Sequence, residues 1–358
     1  MAHGTRLRGL SLLLGMVIIL LAGCGSTSLT AGVSAAKSTP VSTCTGSSCT
    51  EPAGVNGVHV FVEPGAGEKP VVQAIHSATR SVWIEVYLLT DYAVMHALEE
   101  AANRHVDVRV LLESQPFGGG SVSAQKTIAT LKLAGVQART ADPAFTYTHA
   151  KMMLIDNATL YVMTCNLTLS GLGGSSSQRD RDFGIIETDA HDVAEAASVF
   201  LADWGRTTFQ PTASHLLVSP VNARAGILSI INAARQSLHL EDEEMYDRAA
   251  EDALIAAARR GVDVELLLST LDTDDPGFQT NDVPRLVAGG VHVRRLGAPY
   301  VHAKLILADG KLAFVGSQNF SATSLDHNRE VGVVVADVAA IQVLADTFAR
   351  DWAVGEAA

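Results

Sequence analysis

The chain has 358 residues, 47% of them hydrophobic, and 38 Asp and Glu against 26 Lys and Arg give a formal net charge of −12. Nucleic-acid enzymes normally carry a basic face, and no Lys/Arg-rich run or aromatic-interleaved basic stretch occurs here, so composition weighs against a nucleic-acid partner. Once a leader is set aside, the length fits two domains of about 150 residues.

The leader occupies residues 1–23. Arg6 and Arg8 precede an apolar stretch from Leu10 to Leu21. A basic flank, a short apolar core and small residues describe a secretory signal rather than a membrane-spanning helix. Its ending, Leu21-Ala-Gly-Cys24, resembles the bacterial lipoprotein signal. That resemblance implies cleavage before Cys24, a lipid on this cysteine, and an exported protein anchored at the cell envelope; an ordinary cleaved signal is the alternative. Loss of Arg6 and Arg8 takes the net charge from −12 to −14. Residues 24–57 are rich in Ser, Thr, Gly and Ala, lack periodicity, and read as a flexible tether. Within them Cys44 and Cys49 sit close together in an oxidising context, which favours a small disulfide loop.

From residue 58 the pattern alternates. A strand over Val58–Val62 leads to a helix over Val71–Thr79, a strand over Ser81–Leu88, an Ala-rich helix over Met95–Arg104 and a strand over Val106–Leu112. A Gly-rich loop from Pro116 to Ser121 and a helix over Ala124–Ala134 follow. Next comes Tyr147-Thr-His149-Ala-Lys151, then the apolar run 152–155, the turn Asp156-Asn157, and a second apolar run from Leu160 to Met163. Apolar runs around a turn dipeptide predict a buried hairpin. With a two-residue loop, His149 lies opposite Thr164, and Lys151 and Asn166 share the histidine's face. Cys165 then points away and reads as a buried, inert thiol.

The second half repeats the first. Val262–Leu268 matches Val106–Leu112, Tyr300-Val-His302-Ala-Lys304 with Asp309 matches the first motif, and Ser317 and Asn319 match Thr164 and Asn166. Each half closes on a related segment, Phe200-Leu-Ala-Asp-Trp204 and Phe348-Ala-Arg-Asp-Trp352. Two similar α/β lobes over 58–205 and 206–358 are expected, each a largely buried sheet covered by helices. His149 and His302 should face one reacting group between them. Asp156 and Asp309 read equally well as turn residues or as partners of the lysines.

The pattern His-x-Lys-x4-Asp followed by Gly-Ser-x-Asn resembles the signature of the phospholipase D superfamily. The second copy fits throughout; the first has Met163 where glycine is usual. The resemblance implies a phosphodiesterase working through a phosphohistidine, with His149 as nucleophile and His302 as acid and base. Lys151, Lys304, Asn166 and Asn319 would hold the phosphate oxygens, with Thr164, Ser317, Asp156 and Asp309 completing the motifs. It also implies that an acid after each motif, Asp182 or Glu330, hydrogen-bonds a catalytic histidine. Such chemistry calls for no metal or cofactor, and the acidic runs 241–244 and 272–275 read as solvated loops. A phospholipid headgroup ester is the expected substrate, hydrolysed at a membrane surface by a monomer that holds both half-sites. An endonuclease and a cardiolipin synthase-like transferase are the alternatives.

The leader generates a first test. Mass spectrometry of the mature N-terminus should find lipidated Cys24; an unmodified terminus starting elsewhere would leave a freely secreted protein.

Overall fold

The computed structural model describes residues 53–117, 123–212, 214–270 and 282–358. Cys24, Cys44, Cys49 and the run 272–275 lie outside them. The first half runs β1 (His59–Glu63), α1 (Lys69–Ser77), β2 (Ser81–Val86), α2 (Tyr92–Asn103), β3 (Asp107–Leu112), α3 (Ala124–Leu133), β4 (Gln137–Thr140), β5 (Lys151–Ile155), β6 (Thr159–Met163), β7 (Asp180–Glu187) and α4 (Ala190–Gly205). The second repeats this order as β8 (Leu216–Ser219), α5 (Ala223–Ala233), β9 (Ser237–Asp242), α6 (Arg248–Arg259), β10 (Asp263–Ser269), α7 (Val283–Ala288) and β11 (His292–Leu296). It continues with β12 (Tyr300–Val301), β13 (Lys304–Ala308), β14 (Leu312–Gly316), α8 (Ala322–Asp326), β15 (Glu330–Val335), α9 (Val338–Val354) and β16 (Glu356–Ala357). Asp91, Asp189, Asp247 and Asp337 start the four long helices α2, α4, α6 and α9 by accepting from backbone N–H groups of the first turn.

The first sheet has the order β1-β7-β6-β5-β2-β3-β4, and the second β16-β11-β10-β9-β13-β14-β15-β8. Apart from β16 the two orders correspond strand for strand. The hairpin strands are apolar throughout because both faces are covered. In β5, Met152 and Leu154 enter a central core, while Met153 and Ile155 pack in an outer layer with α1, α2 and α3. In β13, Leu305 and Leu307 join the same central core, and Ile306 and Ala308 face α5 and α6. That central core contains residues of both sheets and of α4 and α9, so the halves share one interior. All described residues belong to one compact unit. Among them, no helix is long and apolar enough to cross a membrane.

The hairpin register differs from expectation by one residue. Ile155 pairs with Thr159 and Ala308 with Leu312, so three residues, not two, separate the strands. Asp156, Asn157, Asp309 and Gly310 do adopt positive φ. The turn is closed by Ala158 N–H donating to the Ile155 carbonyl, and Lys311 to Ala308, at 3.0 Å each. The extra residue is then left as a bulge.

The aspartates of these turns are open to two readings, and the structure separates them. Asp156 accepts from the backbone N–H groups of Thr79, Arg80 and Ser81 (2.7–3.1 Å), and Asp309 from those of Arg235, Gln236 and Ser237 (2.6–3.1 Å). These bonds hold both carboxyls below the usual carboxylate range although partial burial opposes it. Each aspartate fastens its hairpin to the start of β2 or β9; neither pairs with a lysine.

The repeated Phe-x-x-Asp-Trp segments lock the halves together. Arg329, in the second half, donates from Nη2 to Asp203 of the first (3.0 Å), with Nε 2.7 Å from the other carboxylate oxygen. Arg181, in the first half, holds Asp351 of the second through Nε (2.5 Å) and Nη2 (3.0 Å). A buried glutamate faces each pair: Glu85 at Asp203 and Arg329, Glu241 at Asp351 and Arg181. Both glutamates are fully buried; Glu85 shares a hydrogen bond with Asp203, and neither carboxyl oxygen of Glu241 has a hydrogen-bond partner among the described residues. Two carboxyls against one guanidinium in a dry interior leave one of them protonated. Burial, then Asp351, pushes Glu241 up to about 8 despite Arg181.

The folded chain therefore binds this proton more tightly than the unfolded chain does. The stability it supplies is fully present below the ordinary value of 4.5 and is lost as pH rises through about 8. The urea midpoint of the native protein should fall across that window, and Glu241→Gln, which keeps the neutral form's shape, should flatten the fall. An unchanged slope would mean that Glu241 is ionised in the native state.

Candidate active site

The two halves meet at a cavity of about 780 Å³ whose wall includes both histidines, His149 and His302, and both asparagines, Asn166 and Asn319. Tyr87, Phe117, Tyr147, Glu243, Glu244 and Tyr246 also line it. The segments that deliver the histidines cross between the halves. His149 and Ala150 donate their backbone N–H groups to the Arg329 carbonyl (2.8 and 2.9 Å), and His302 donates to that of Arg181 (3.2 Å). Strand β12, just before His302, adds to the first sheet beside β7.

This exchange decides which acid serves which histidine. Nδ1 of His149 lies 2.9 Å from Glu330, in the second half, and Nδ1 of His302 lies 2.9 Å from Asp182, in the first. A carboxylate only accepts, so Nδ1 carries the proton in both rings and Nε2 is the free nitrogen of each. Asn328 Nδ2 donates to Glu330 at 3.0 Å. Asp182 accepts a short hydrogen bond from the Thr164 hydroxyl, which in turn accepts from Phe183 N–H (2.9 Å). Ser317 accepts from Val331 N–H at 3.1 Å. Thr164 and Ser317 thus brace the strands that carry the acids, and both are fully buried away from the cavity.

Lys151 and Lys304 are fully buried just behind the cavity wall, each donating to the carbonyl of its own histidine. Their surroundings differ. Lys151 sits 5.5 Å from the Tyr87 ring, and burial, reinforced by Lys304, pulls it down to about 7 against the pull of Glu330. Lys304 is buried as deeply, but Glu243, at 2.9 Å, together with Asp182 and Asp242, outweighs burial and moves it upward. Burial also lowers His149, with Glu330 opposing.

The acidic run 241–244 is not a solvated loop. Glu241 and Asp242 are fully buried at the end of β9, and Glu243 and Glu244 line the cavity. Burial, then Glu243, pushes Glu244 up to about 8. An even charge pattern hid these roles, because four consecutive acids look hydrophilic whichever way the strand end turns. Phe117 reaches the wall, whereas Gly171–Ser177 does not contribute to it. Cys165 is buried in the outer core of the first half, but the shifted register sets it with Tyr161 and Met163 on the face of the hairpin that carries Met153, not on the opposite one. Met163, which stands where the motif usually has glycine, packs in that same layer. The matching Gly316 faces Gly332 across the strand pair, where an added Cβ would stand 2.6 Å from the Gly332 Cα. Its smallness is a packing requirement rather than an approach to substrate.

Among the described residues, Asp189, Asp192 and His215 place ligand atoms within 4.8 Å of one another. Asp192 already accepts from His215 N–H (2.8 Å) and lies 2.9 Å from its Nδ1, Asp189 caps α4, and none of the three lines the cavity.

The family described as "cardiolipin synthase, PLD-like domain" matches residues 71–204 and again 227–352. A cardiolipin synthase of Halalkalibacterium halodurans is 25% identical over 78% of this chain, and one of Clostridium perfringens 22% identical over 83%. The chain spans 63% and 70% of those two proteins. Among solved structures, phosphatidylserine synthase of Haemophilus influenzae (TM-score 0.65, 11% identity) covers 86% of this chain and 88% of its own. Polyphosphate kinase of Porphyromonas gingivalis has the same TM-score at 16% identity, over 82% of this chain and 50% of its own. These two show the shared fold. With the domain matched in both halves and two histidines set into one cavity, the chain belongs to the phospholipase D-like family.

Proposed function

We propose that the protein is a phosphatidyltransferase of the cardiolipin synthase kind, which breaks a phospholipid headgroup ester and passes the phosphatidyl group to an alcohol. The observation that carries this reading is the shared cavity with a free Nε2 from each half, each ring fixed by an acid of the opposite half. An alkoxide is a poor leaving group, so a covalent intermediate splits the reaction into two easier steps. In the first, the Nε2 lone pair of one histidine attacks phosphorus, the P–O bond to the headgroup breaks, and the other histidine protonates the departing oxygen. In the second, that histidine takes the proton from an incoming hydroxyl, whose oxygen attacks phosphorus and releases the first histidine. Lys151, Lys304 and the side-chain amides of Asn166 and Asn319 would steady the phosphate oxygens as charge builds.

Hydrolysis is the leading expectation from sequence; transfer replaces it here because the curated relatives are named cardiolipin synthases. Water and an alcohol meet the same intermediate, so the two outcomes differ in the acceptor alone. A lipid on Cys24 would hold the cavity near its substrate, a proposal that awaits the N-terminal analysis above.

Phosphatidylglycerol and phosphatidylethanolamine vesicles offered with a primary alcohol should yield the phosphatidyl alcohol, at the expense of phosphatidic acid as the alcohol concentration rises. His149→Ala and His302→Ala should each lower the rate by a factor on the order of 10³ or more. Cleavage of DNA with phospholipids left intact would overturn the reading and favour the endonuclease.

A further inference from the structure

The chemistry needs two unequal histidines, yet the fold supplies two nearly equal ones. Both donate Nδ1–H to a buried carboxylate at 2.9 Å, and both precede a buried lysine by two residues. Among the wall positions where the equivalence fails, one stands beside both the lysine and the histidine of its half. Tyr87 follows β2 and Glu243 follows β9, and each stands two residues beyond the matched buried glutamates Glu85 and Glu241. In the first half this position presents a neutral ring, whose centroid lies 4.6 Å from that of His149. In the second it presents a carboxylate, 2.9 Å from Lys304 Nζ and 3.8 Å from Nε2 of His302. Tyr300 donates its hydroxyl to the other oxygen of Glu243 at 3.3 Å.

Resting on the two-histidine reading above, we propose that Glu243 is the positioning residue that breaks the symmetry, holding His302 as the imidazolium acid and leaving His149 as the neutral nucleophile. Because Glu330 and Asp182 act alike on the two Nδ1 atoms, their effects largely cancel in the comparison, and what remains is the Tyr87/Glu243 difference together with Asp180 standing where the second half has Asn328. A carboxylate facing Nε2 favours a proton on that nitrogen, whereas an aromatic edge over a buried, neutral ring does not. The other charged groups about His302 are Asp180 and Asp182 on β7 and Lys304 on β13. About His149 they are Glu330, Lys151, Lys304 and, more weakly than at His302, Glu243 itself. Burial pushes Glu243 up, but Lys304 and His302 outweigh it and bring it to about 2, so it stays anionic. Glu243 gains no proton in the cycle: the proton on His302 Nε2 goes to the headgroup oxygen as the His149 N–P bond forms, and the acceptor hydroxyl later returns one.

Imidazole nitrogen NMR of the folded protein tests this without turnover. In the native chain His302 should keep its second proton to higher pH than His149 does. Glu243→Gln should lower the His302 midpoint by about 1 to 3 pH units and the His149 midpoint by clearly less. Glu243→Asp, which keeps the charge, should hold the native order, and Glu243→Tyr, which copies the first half at this position, should bring the two midpoints closer together. In the pH–rate profile the alkaline limb of kcat/KM should move down with Glu243→Gln. An unmoved His302 midpoint, a native His149 that titrates above His302, or an equal rate loss at every pH would overturn the proposal. Titrations as expected in a protein without transferase activity would sink the proposed function and leave the role of Glu243 standing.

Discussion

Everything at the active site depends on a reciprocal exchange between the halves. Each half supplies a histidine, and the other supplies the carboxylate that orients it, His149 to Glu330 and His302 to Asp182. The exchange is anchored one residue earlier in each acid-bearing strand. Arg181 and Arg329 immediately precede those acids, and their guanidinium groups are pinned by Asp351 and Asp203 from the opposite half. Neither half-site can therefore be assembled by its own half alone. The buried ion pairs that join the halves also set the height and direction of the catalytic rings.

Buried charges of this kind are costly unless geometry satisfies them. Here each guanidinium also reaches a backbone carbonyl, that of Glu63 for Arg181 and that of Ser219 for Arg329. A protonated glutamate behind each pair keeps the cluster's charge near balance. Stacked aromatic rings cap the arrangement, Phe200 on Trp204 at 5.6 Å and Phe348 on Trp352 at 5.7 Å, each tryptophan facing an arginine. The Phe-x-x-Asp-Trp repeat is thus a docking device: its rings pack against the sheet of their own half, Phe200 on Trp83 and Phe348 on His239, while its aspartate crosses the interface.

Duplication gives a site with built-in twofold equivalence, which suits the binding of a phosphate but not a reaction with distinct proton donor and nucleophile. Inequality enters through a few wall residues. Tyr87 matches Glu243 and Val86 matches Asp242, so the two lysines shift in opposite directions although both are fully buried. These few differences between corresponding strands alter the electrostatics of both the lysine and the histidine beside them, because the cavity wall offers little solvent to screen them.

The sequence by itself determined the duplication, the α/β order, the buried hairpins and the residues His149, Lys151, His302, Lys304, Asn166 and Asn319. All of these follow from local patterns, in which periodicity, turn chemistry and spacing are carried by neighbouring residues. Tertiary structure alone decided which acid meets which histidine, because Asp182 and Glu330 lie at similar distances after their own motifs and yet act on the opposite ones. It also decided that Asp156 and Asp309 cap strand starts, that a bulge shifts the hairpin register, and that residues 241–244 turn inward. In each case the partner lies roughly seventy residues or more away, or the choice rests on how a strand end bends. A local pattern names the group that can bond; only the folded chain brings the partner that does.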